Sequence, residues 1–314
     1  MFKHYTMLHI NKLLSQFISC VLLLKFSTTF AQNDVQFNTY NYDLMQLNVG
    51  AMGSSCFEAN LNYRTQPLKV GGAPSLYQLN SYLRFGDKQA VGIKVYHQSV
   101  GLSEFNNITG AYAYKLNLSK NATFNLGVGV SFFQTAFNAH KAVVTNENDE
   151  VLQNDGQILR ANNFDCEIGG ELKWKELKTG LSVNHLYNTD KNMGNVSSKT
   201  PQLFNLYATY KFNLSQNLEL MPWLLTRYSA GGAFLPEVMV NARYKKMFSL
   251  GVGYRYPSGI IANFGAELAK IKIVYSFEYN LGKIYKSLGS THQIMLGFDL
   301  CQKKKDKAEP ELKN

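Results

Sequence analysis

From Ser54 to Leu300 the sequence alternates between apolar and polar residues, in stretches of about ten residues separated by turn signals. Within residues 272–280, for example, apolar side chains occupy every second position from Ile273 to Tyr279, and most residues between them are polar. Because successive side chains of a β-strand point to opposite faces, each stretch predicts a strand with one apolar face. Many such strands could turn their apolar faces to lipid and their polar faces to a lumen. The pattern therefore predicts an all-β fold, a transmembrane antiparallel β-barrel.

Turn signals and alternation together predict about fourteen strands, an even number as in bacterial single-chain barrels. The strands are expected near residues 54–65, 74–85, 90–100, 103–117, 122–137, 163–174, 177–187, 201–213, 218–229, 236–246, 248–256, 260–269, 272–281 and 291–300. Connections such as 86–89 are tight, whereas 138–162 and 188–200 are long. Outer-membrane barrels have short periplasmic turns and longer outer loops, so both ends of the barrel are expected in the periplasm.

The two ends of the chain differ from the alternating region. Lys3 and Lys12 precede an apolar stretch, and a small-x-small cleavage site ends at Ala31, so a secretory signal peptide is predicted. The predicted organisation is a signal peptide at 1–31, an N-terminal periplasmic segment at 32–53, the outer-membrane barrel at 54–300 and a basic C-terminal tail at 301–314.

Composition narrows the class of protein further. No later segment reaches the roughly 20 consecutive apolar residues of a spanning helix, which excludes a helical inner-membrane protein. The chain has 19 Tyr and 20 Phe, which suits the aromatic girdles of a barrel, although a large soluble β-sandwich could share this composition. The number and evenness of the strands favour the barrel.

Net charge argues against nucleic acid as a partner. The formal charge of +10 falls to +7 when the signal peptide, with three lysines and no acidic residue, is removed. This excess is spread along the chain, apart from Lys303, Lys304 and Lys305, and the aromatic residues belong to the lipid-facing register. Nucleic-acid binding requires a basic surface with aromatic side chains available for stacking.

The polar register places charges of both signs in the predicted lumen. These residues are Glu58, Arg64, Arg84, Lys94, Lys115, Asp165, Glu167, Glu171, Lys173, Glu219, Arg227, Arg243, Arg255, Glu267, Glu278 and Asp299. Buried charges are tolerated when they are paired, so these groups are expected to pair across the interior and stabilise the barrel. A selective pore or substrate path is the alternative. Glycines inside strands, at 127–129, 169–170 and 251–253, are expected to permit bending or close approach of another segment.

Little in the sequence indicates catalysis or metal binding. The mature chain has four histidines, of which His97 and His185 fall on the outward register. No zinc, redox or hydrolase motif is present, so neither a metal nor a cofactor is expected. A hydrolase at the rim, using Asp165 or Asp190 with His140 or His185, is a third hypothesis that spacing alone does not support.

The three mature cysteines, Cys56, Cys166 and Cys301, lie far apart in the sequence. They lack the close spacing of a metal site and the density of a disulfide framework. We therefore expect ordinary strand and tail residues here and no structural disulfide.

Both ends of the mature sequence resemble one family. Residues 289–300 read GSTHQIMLGFDL and resemble the G-S-H-E-I-M-L-x-Y-x-F ending of the PorP/SprF family of type IX secretion outer-membrane proteins. Residues 32–40, QNDVQFNTY, are similar to its Q-D-P-x-F-x-x-Y opening, and residues 48–53, NVGAMG, occupy the place of its N-P-A-x-x-G. Residues 63–74 contain YRTQ followed by GAP, similar to its Y-R-x-Q-W and G-A-P elements. The resemblance covers essentially the whole mature chain.

The resemblance implies a non-enzymatic barrel of the bacterial outer membrane that serves type IX secretion and gliding. Its implied partners are outer-membrane lipid, periplasmic secretion components and a secreted adhesin-type cargo. It would support export or surface attachment of this cargo, or anchor the secretion machinery. The alternative function is a small-solute transport channel, since one fold can host either. Lys303 to Lys305 are candidates for contact with an acidic periplasmic partner.

Overall fold

The computed structural model describes residues 37–66, 72–138, 158–187, 190–193, 196–230, 232–257, 259–281 and 289–300. None of the helices in these ranges is long and apolar enough to cross a membrane. Within the same ranges the strands are β1 (Phe57–Thr65), β2 (Ser75–Phe85), β3 (Gln89–Val100), β4 (Ser103–Ser119), β5 (Ala122–Asn138), β6 (Ile158–Trp174), β7 (Leu177–Asn184), β8 (Asp190–Met193), β9 (Val196–Lys199), β10 (Leu203–Tyr210), β11 (Phe212–Asn213), β12 (Leu218–Ser229), β13 (Phe234–Tyr244), β14 (Phe248–Arg255), β15 (Gly259–Leu268), β16 (Ile271–Asn280) and β17 (Thr291–Asp299).

The strands close into a barrel. The first strand, β1, pairs with the last, β17, and antiparallel pairing continues between neighbours along β1 to β7 and along β12 to β17. The gap is closed by β10, which pairs with β7 on one side and β12 on the other, and β11 continues β10 after Lys211. Because β10 and β11 both pair with β12, they count as one strand of the wall. With β8 and β9 in a separate hairpin, the described residues make a closed barrel of fourteen strands. The predicted fold class is confirmed.

Alternation along the strands produces the two faces of the wall. In β14 every second residue is buried, and those between, such as Leu250 and Val252, are 58% and 56% exposed although they are apolar. Exposed apolar side chains of this kind recur on the outer surface of the other strands. A continuous apolar outer face is stable in the hydrocarbon of a bilayer, where the closed ladder satisfies the backbone hydrogen bonds.

The two rims of the barrel differ. We call the rim at which β1 begins and β17 ends the turn rim, because the connections there, such as 86–88 and 175–176, are short. We call the other the loop rim, since longer connections such as 139–157 belong to it. Short turns on the side of the chain ends are typical of the periplasmic side. The periplasmic position of both ends remains a prediction.

Some predicted boundaries shift. The ladder between β5 and β6 continues to the pair Asn138 and Ile158, so β6 begins inside the segment 138–162 that was expected to be a loop. The hairpin of β8 and β9 lies within the expected loop 188–200. Residues 54–56 precede the first strand instead of belonging to it, because they connect the wall to a segment inside the barrel.

Residues 37–53 lie in the lumen, and together with the connecting residues 54–56 we call them the plug. It contains two short 3₁₀ helices, Leu44–Gln46 and Val49–Ala51. Its apolar side chains are buried against apolar side chains that face inward from the wall. The buried clusters contain Tyr40, Leu47, Tyr207, Trp223, Leu225, Met239 and Ile261, and Met45, Val49, Met52, Tyr82, Ala90, Ala111 and Ala113. The hydrophobic core of this protein is therefore inside the barrel, between plug and wall.

The plug corrects the expectation of a periplasmic segment over residues 32–53. Residues 37–53 belong to the barrel interior, because Tyr40, Val49 and Met52 are almost fully buried there and remove apolar surface from water. The signal peptide and its cleavage after Ala31 lie outside the described residues and remain predictions.

One cysteine also corrects an expectation. Cys56 is disulfide-bonded, and its partner lies outside the described residues, whereas Cys166 is free. Spacing along the sequence is a poor guide to disulfides, because folding can bring together residues that lie far apart in the chain. The pairing of β1 with β17 is the direct example.

Candidate functional site

Most of the charges predicted for the lumen lie inside the barrel and have partners there. Lys94 pairs with Glu167 at 2.7 Å, Glu58 with Lys272 at 3.2 Å and Arg64 with Glu278 at 3.3 Å. Arg243 pairs with Glu267 at 2.5 Å and with Glu219 at 4.0 Å. Glu237 pairs with Arg227 at 3.8 Å and with Arg255 at 2.6 Å, and Arg255 also pairs with Glu278 at 3.2 Å. Glu171 accepts a hydrogen bond from the Tyr207 hydroxyl at 2.6 Å, and Asp299 accepts one from Ser55. This arrangement supports the interpretation that lumen charges stabilise the barrel.

Five of these groups form one buried cluster in the loop-rim half of the lumen. Arg255 is at its centre, with Nε 2.6 Å from Glu237 and Nη1 3.2 Å from both Glu278 oxygens. Arg64 also pairs with Glu278, and Arg227 also pairs with Glu237, so each carboxylate contacts a second arginine. The plug completes the cluster, because Arg255 Nη2 donates to Asn38 Oδ1 at 2.8 Å. Hydrogen bonds from Asn38 to Arg255 and Glu278 thus tie the plug to β14 and β16.

The sequence interpretation missed two members of this network. Glu237 shares the register of Arg243 on β13, and Lys272 shares the register of Glu278 on β16. Both positions are therefore inward by the same two-residue period, and that period could have identified them. Lys272 also donates to the plug, with Nζ 3.1 Å from Tyr42 O.

Apart from Asp165, which is described below, the remaining predicted charges lie near the turn rim or outside the described residues. Arg84 and Lys115 line a small cavity beside Met52. Lys173 lies on the inward register but is exposed close to the end of β6. Lys303, Lys304 and Lys305 belong to the tail, which is outside the described residues.

Glycines in the wall strands allow the second 3₁₀ helix of the plug to pack directly against the wall. A β-carbon at Gly127 would lie 2.5 Å from Gly50 N, and one at Gly169 would overlap the Asn48 side chain. Asn48 itself caps the helix by accepting from Gly50 N at 2.7 Å, and its Nδ2 donates to Gly170 O at 2.9 Å. The expectation that strand glycines permit close approach is confirmed at Gly127 and Gly169.

Asp43 is a buried carboxyl group on the plug. Its Oδ2 accepts hydrogen bonds from Asn80 Nδ2 at 2.7 Å and from Gln46 Nε2 at 3.3 Å. Burial, and next to it the charge of Glu58, raises the pKa of Asp43 to about 6, although Lys272 opposes the shift. The plug therefore docks against the wall more favourably when Asp43 is protonated than when it is ionised.

From this pKa we expect the docked plug to become more stable as pH falls from about 7 to about 4. The docked carboxyl binds a proton in that window, and the solvated one does not, so the contribution is complete below about 4 and is lost as pH rises through about 6. Asp43→Asn keeps a hydrogen-bond acceptor but cannot ionise. Its free energy of unfolding should exceed that of the wild type by up to about 3 kcal/mol at neutral pH and match it near pH 4. Urea unfolding at both pH values measures this, and a difference that does not change with pH would contradict it.

A cavity lies on the loop-rim side of the plug, between the plug, the wall from β2 to β7 and one residue of β12. Its volume is about 90 Å³, and the lining residues come from both the plug and the wall. Lys94 and Glu167, Thr109 and Ser131, Gln46 and Gln78, and Arg227 are among them. Phe37 and Leu47 of the plug add apolar surface, so the lining is mixed.

Asp165 and His185 also line this cavity and contact each other. The outward position expected for His185 is wrong, because β7 ends at Asn184 and His185 adopts a φ of +59° that breaks the alternation. The other Asp165 oxygen accepts from the backbone N–H groups of Cys166 at 2.7 Å and Tyr187 at 3.3 Å. The carboxylate therefore holds the segment after β7 against β6.

The other histidines are placed as follows. His97 lies on the outer face, with Nδ1 2.7 Å from Asn106 Oδ1 and its ring beside that of Tyr77. His140 lies outside the described residues. Across the residues that the structure describes, no group of three or more His, Cys, Asp or Glu side chains could hold a metal ion.

Comparison with known proteins assigns the barrel to a family. Residues 29–298 match the family described as type IX secretion system membrane protein PorP/SprF. The chain belongs to the PorP/SprF family. With its membrane barrel fold, this membership places the protein in the outer membrane of a cell that uses type IX secretion. The tail from residue 301 onward lies beyond the part that matches PorP/SprF.

Solved structures similar to this PorP/SprF chain are barrels with low sequence identity. The toluene transporter TbuX of Ralstonia pickettii is 12% identical over 81% of this chain and 92% of its own, with a TM-score of 0.49. A FadL homologue of Pseudomonas aeruginosa is 12% identical over 80% and 91%, with a TM-score of 0.47. The NanC porin is 11% identical over 77% and 98%, with a TM-score of 0.38. No curated protein sequence matches this chain.

Proposed function

We propose that this PorP/SprF protein is a non-enzymatic barrel that supports export or surface attachment of a secreted, adhesin-type protein, or anchors the type IX machinery. The observation that carries the proposal is the plug, which occupies the lumen of a barrel belonging to a secretion family. An occupied lumen suits a barrel that handles or anchors proteins better than one through which solutes diffuse freely.

Contacts from the loop rim to the turn rim support a plug that stays in place. Near the loop rim Asn38 binds Arg255 and Glu278, and its backbone N–H donates to Gln293 Oε1 at 2.8 Å. Near the turn rim Ser54 and the Tyr82 hydroxyl are 2.9 Å apart. Between these ends lie the apolar clusters described above. Release of the plug would expose the apolar clusters and leave buried charges without partners, and both effects oppose it.

The known polar groups of the lumen also fit a role without catalysis. The Asp165 and His185 pair acts as a brace for the segment after β7, as its backbone hydrogen bonds indicate. Most of the described lumen charges engage one another or the plug. We therefore assign no catalytic residue and propose that the partners are lipid on the outer face and secretion components or cargo at the rims.

Affinity purification from native outer membranes tests this proposal. We expect the tagged protein to retain periplasmic type IX components or a large secreted adhesin. A version lacking residues 301–314 should retain less of an acidic periplasmic partner if Lys303 to Lys305 contribute a contact. An unrelated outer-membrane barrel with the same tag is the control. Recovery of the same proteins with both barrels would contradict the proposal.

A small-solute channel is the alternative function, and the cavity on the loop-rim side of the plug is the observation in its favour. This function requires the plug to move during transport. Loss of growth on one solute after gene deletion, with surface display of adhesins intact, would favour the channel. Loss of adhesin display with normal solute uptake would favour the secretion role.

A further inference from the structure

The turn rim carries a ring of exposed cations. Six short turns join its strands, at 86–88, 120–121, 175–176, 214–217, 245–247 and 269–270, and the structure describes all six. Five of them contain an exposed lysine, and these lysines are Lys88, Lys120, Lys175, Lys245, Lys246 and Lys270. None of these ammonium groups forms an ion pair with another described residue. The acidic residues of the turns are Asp87 and Glu176, and Glu176 is paired with Lys211 at 2.9 Å.

The short connections of the loop rim lack this feature. Residues 101–102, 230–233 and 256–258 join strands there, and none of these connections contains a charged residue. Lysine is therefore not a general property of the short turns of this barrel. It is concentrated at one rim.

Turn geometry does not explain the lysines either. Lys175, Lys245 and Lys246 adopt φ values of +52°, +50° and +55°, in the left-handed region that favours glycine and asparagine. Lys245 and Lys246 are the central residues of a turn in which Met247 N donates to Tyr244 O at 3.0 Å. Asn-Gly is the preferred pair in such a turn. The backbone thus disfavours lysine at these positions, which indicates a use for the charge.

The lysines lie where the apolar outer face ends. The strand before each of the five turns has an exposed apolar side chain at or next to its last residue, namely Phe85, Leu118, Trp174, Tyr244 and Leu268. Lys175 Nζ lies 5.8 Å from the centroid of the Trp174 ring, and Lys245 Nζ lies 5.4 Å from that of Tyr244. Outward aromatic rings with neighbouring lysines are typical of the headgroup level of a bilayer. These ammonium groups are therefore on the lipid side of the rim.

We propose that the turn rim binds the phosphate groups of anionic phospholipids in the leaflet that surrounds it. Clustered lysines at a membrane surface attract such lipids. A lipid fits better than an acidic protein because the lysines follow the rim around the barrel and two of them lie over outward rings. The proposal does not rest on the secretion role, since it needs only the barrel and its membrane.

Lys120 and Lys175 form the site that can be tested most directly. Lys175 N donates to Asn121 O at 2.9 Å, which joins their two turns. Trp174 pairs with Ala122 and is 52% exposed, so its ring lies on the outer face beside both turns. The second tryptophan of the chain, Trp223, is 6% exposed and lies inside the barrel. Quenching from the lipid phase therefore reports on Trp174.

Fluorescence quenching of the purified mature protein in phosphatidylcholine vesicles tests the proposal. We expect a small fraction of brominated phosphatidylglycerol to quench Trp174 more than the same fraction of brominated phosphatidylcholine. High salt should remove the difference, because exposed charges are screened. Equal quenching by the two brominated lipids at low salt would overturn the proposal.

A neutral variant separates lipid binding from a structural role of the lysines. Lys120→Gln/Lys175→Asn removes both charges, and asparagine suits the left-handed backbone at 175, so this variant should unfold no more easily than the wild type. Its preference for phosphatidylglycerol should fall about fivefold for each lysine removed. Lys120→Arg/Lys175→Arg keeps the charges and should keep the preference. Arg160→Gln, which removes an exposed cation of β6 near the loop rim, should also keep it.

Two further results would contradict the assignment. One is a wild-type preference for phosphatidylglycerol in Lys120→Gln/Lys175→Asn. The other is the absence of any lipid preference together with retention of an acidic periplasmic protein by the wild type and not by this variant. The second result would assign the lysines to that protein instead of to lipid.

Discussion

Replacing Arg255 by methionine is expected to lower the free energy of unfolding by about 3 to 5 kcal/mol, the usual cost of leaving a buried ion-pair partner alone. Arg255 donates to both Glu237 and Glu278, which are 1% and 2% exposed. Without it Glu237 loses its nearest cation and keeps Arg227 at 3.8 Å, while Glu278 keeps Arg64 at 3.3 Å and Asn38 Nδ2 at 3.1 Å. The plug also loses the hydrogen bond from Arg255 to Asn38. Methionine fills similar space, so the loss reports on charge pairing and not on a cavity.

Urea unfolding in lipid vesicles, followed by tryptophan fluorescence, measures this effect. Trp223 packs on Tyr40 of the plug with ring centroids 5.9 Å apart, so it reports on the interior. Arg255→Lys keeps the charge without the planar fork and should show a smaller loss. Arg160→Met is the exposed control and should change stability by less than about 0.5 kcal/mol. An unchanged midpoint in Arg255→Met would show that the cluster contributes nothing to stability.

Replacing Gly127 by leucine is expected to displace the plug while the wall remains assembled. A β-carbon there would lie 2.5 Å from Gly50 N and 2.6 Å from Val49 C, and these backbone atoms cannot turn away as a side chain could. The strand pairs of β5 depend on the backbone and persist. With the plug displaced, cells should become severalfold more sensitive to a bulky hydrophilic antibiotic that the outer membrane normally excludes.

Gly110 supplies the matched control for this substitution. It lies on β4 with its outer face exposed, and a β-carbon there meets no atom within 4 Å. Gly110→Leu should therefore leave antibiotic sensitivity at the wild-type level. Equal sensitivity of Gly127→Leu, Gly110→Leu and the wild type, at equal amounts of folded barrel, would contradict the assignment of residues 37–56 as the closure of the lumen.

The wall of the barrel could be predicted from the sequence because its signal is local. A two-residue period identifies a strand and its inward face together, so the fourteen strands and inward residues such as Arg255 and Glu278 follow from the same pattern. Where the backbone leaves that conformation the rule fails, as at His185, whose positive φ turns the side chain inward. Glu237 and Lys272 share the inward register of their strands and follow from the same rule.

The plug could not be predicted in this way. Residues 37–56 have neither strand nor long-helix periodicity, and their apolar side chains are buried only because a lumen of matching shape surrounds them. Asn48 and Gly50 meet Gly127 and Gly169, which are far away in the sequence. Only the resemblance of residues 32–40 and 48–53 to family motifs marked this segment, and a motif does not show where its residues lie.

The central claim is that this barrel is closed by its own plug and does not serve as an open channel. Current through planar bilayers containing the purified mature protein tests it most directly. We expect the wild type to show no large steady conductance, because residues 37–56 fill the lumen and are held by buried contacts. A large, steady and unselective current from the wild-type protein would contradict the account.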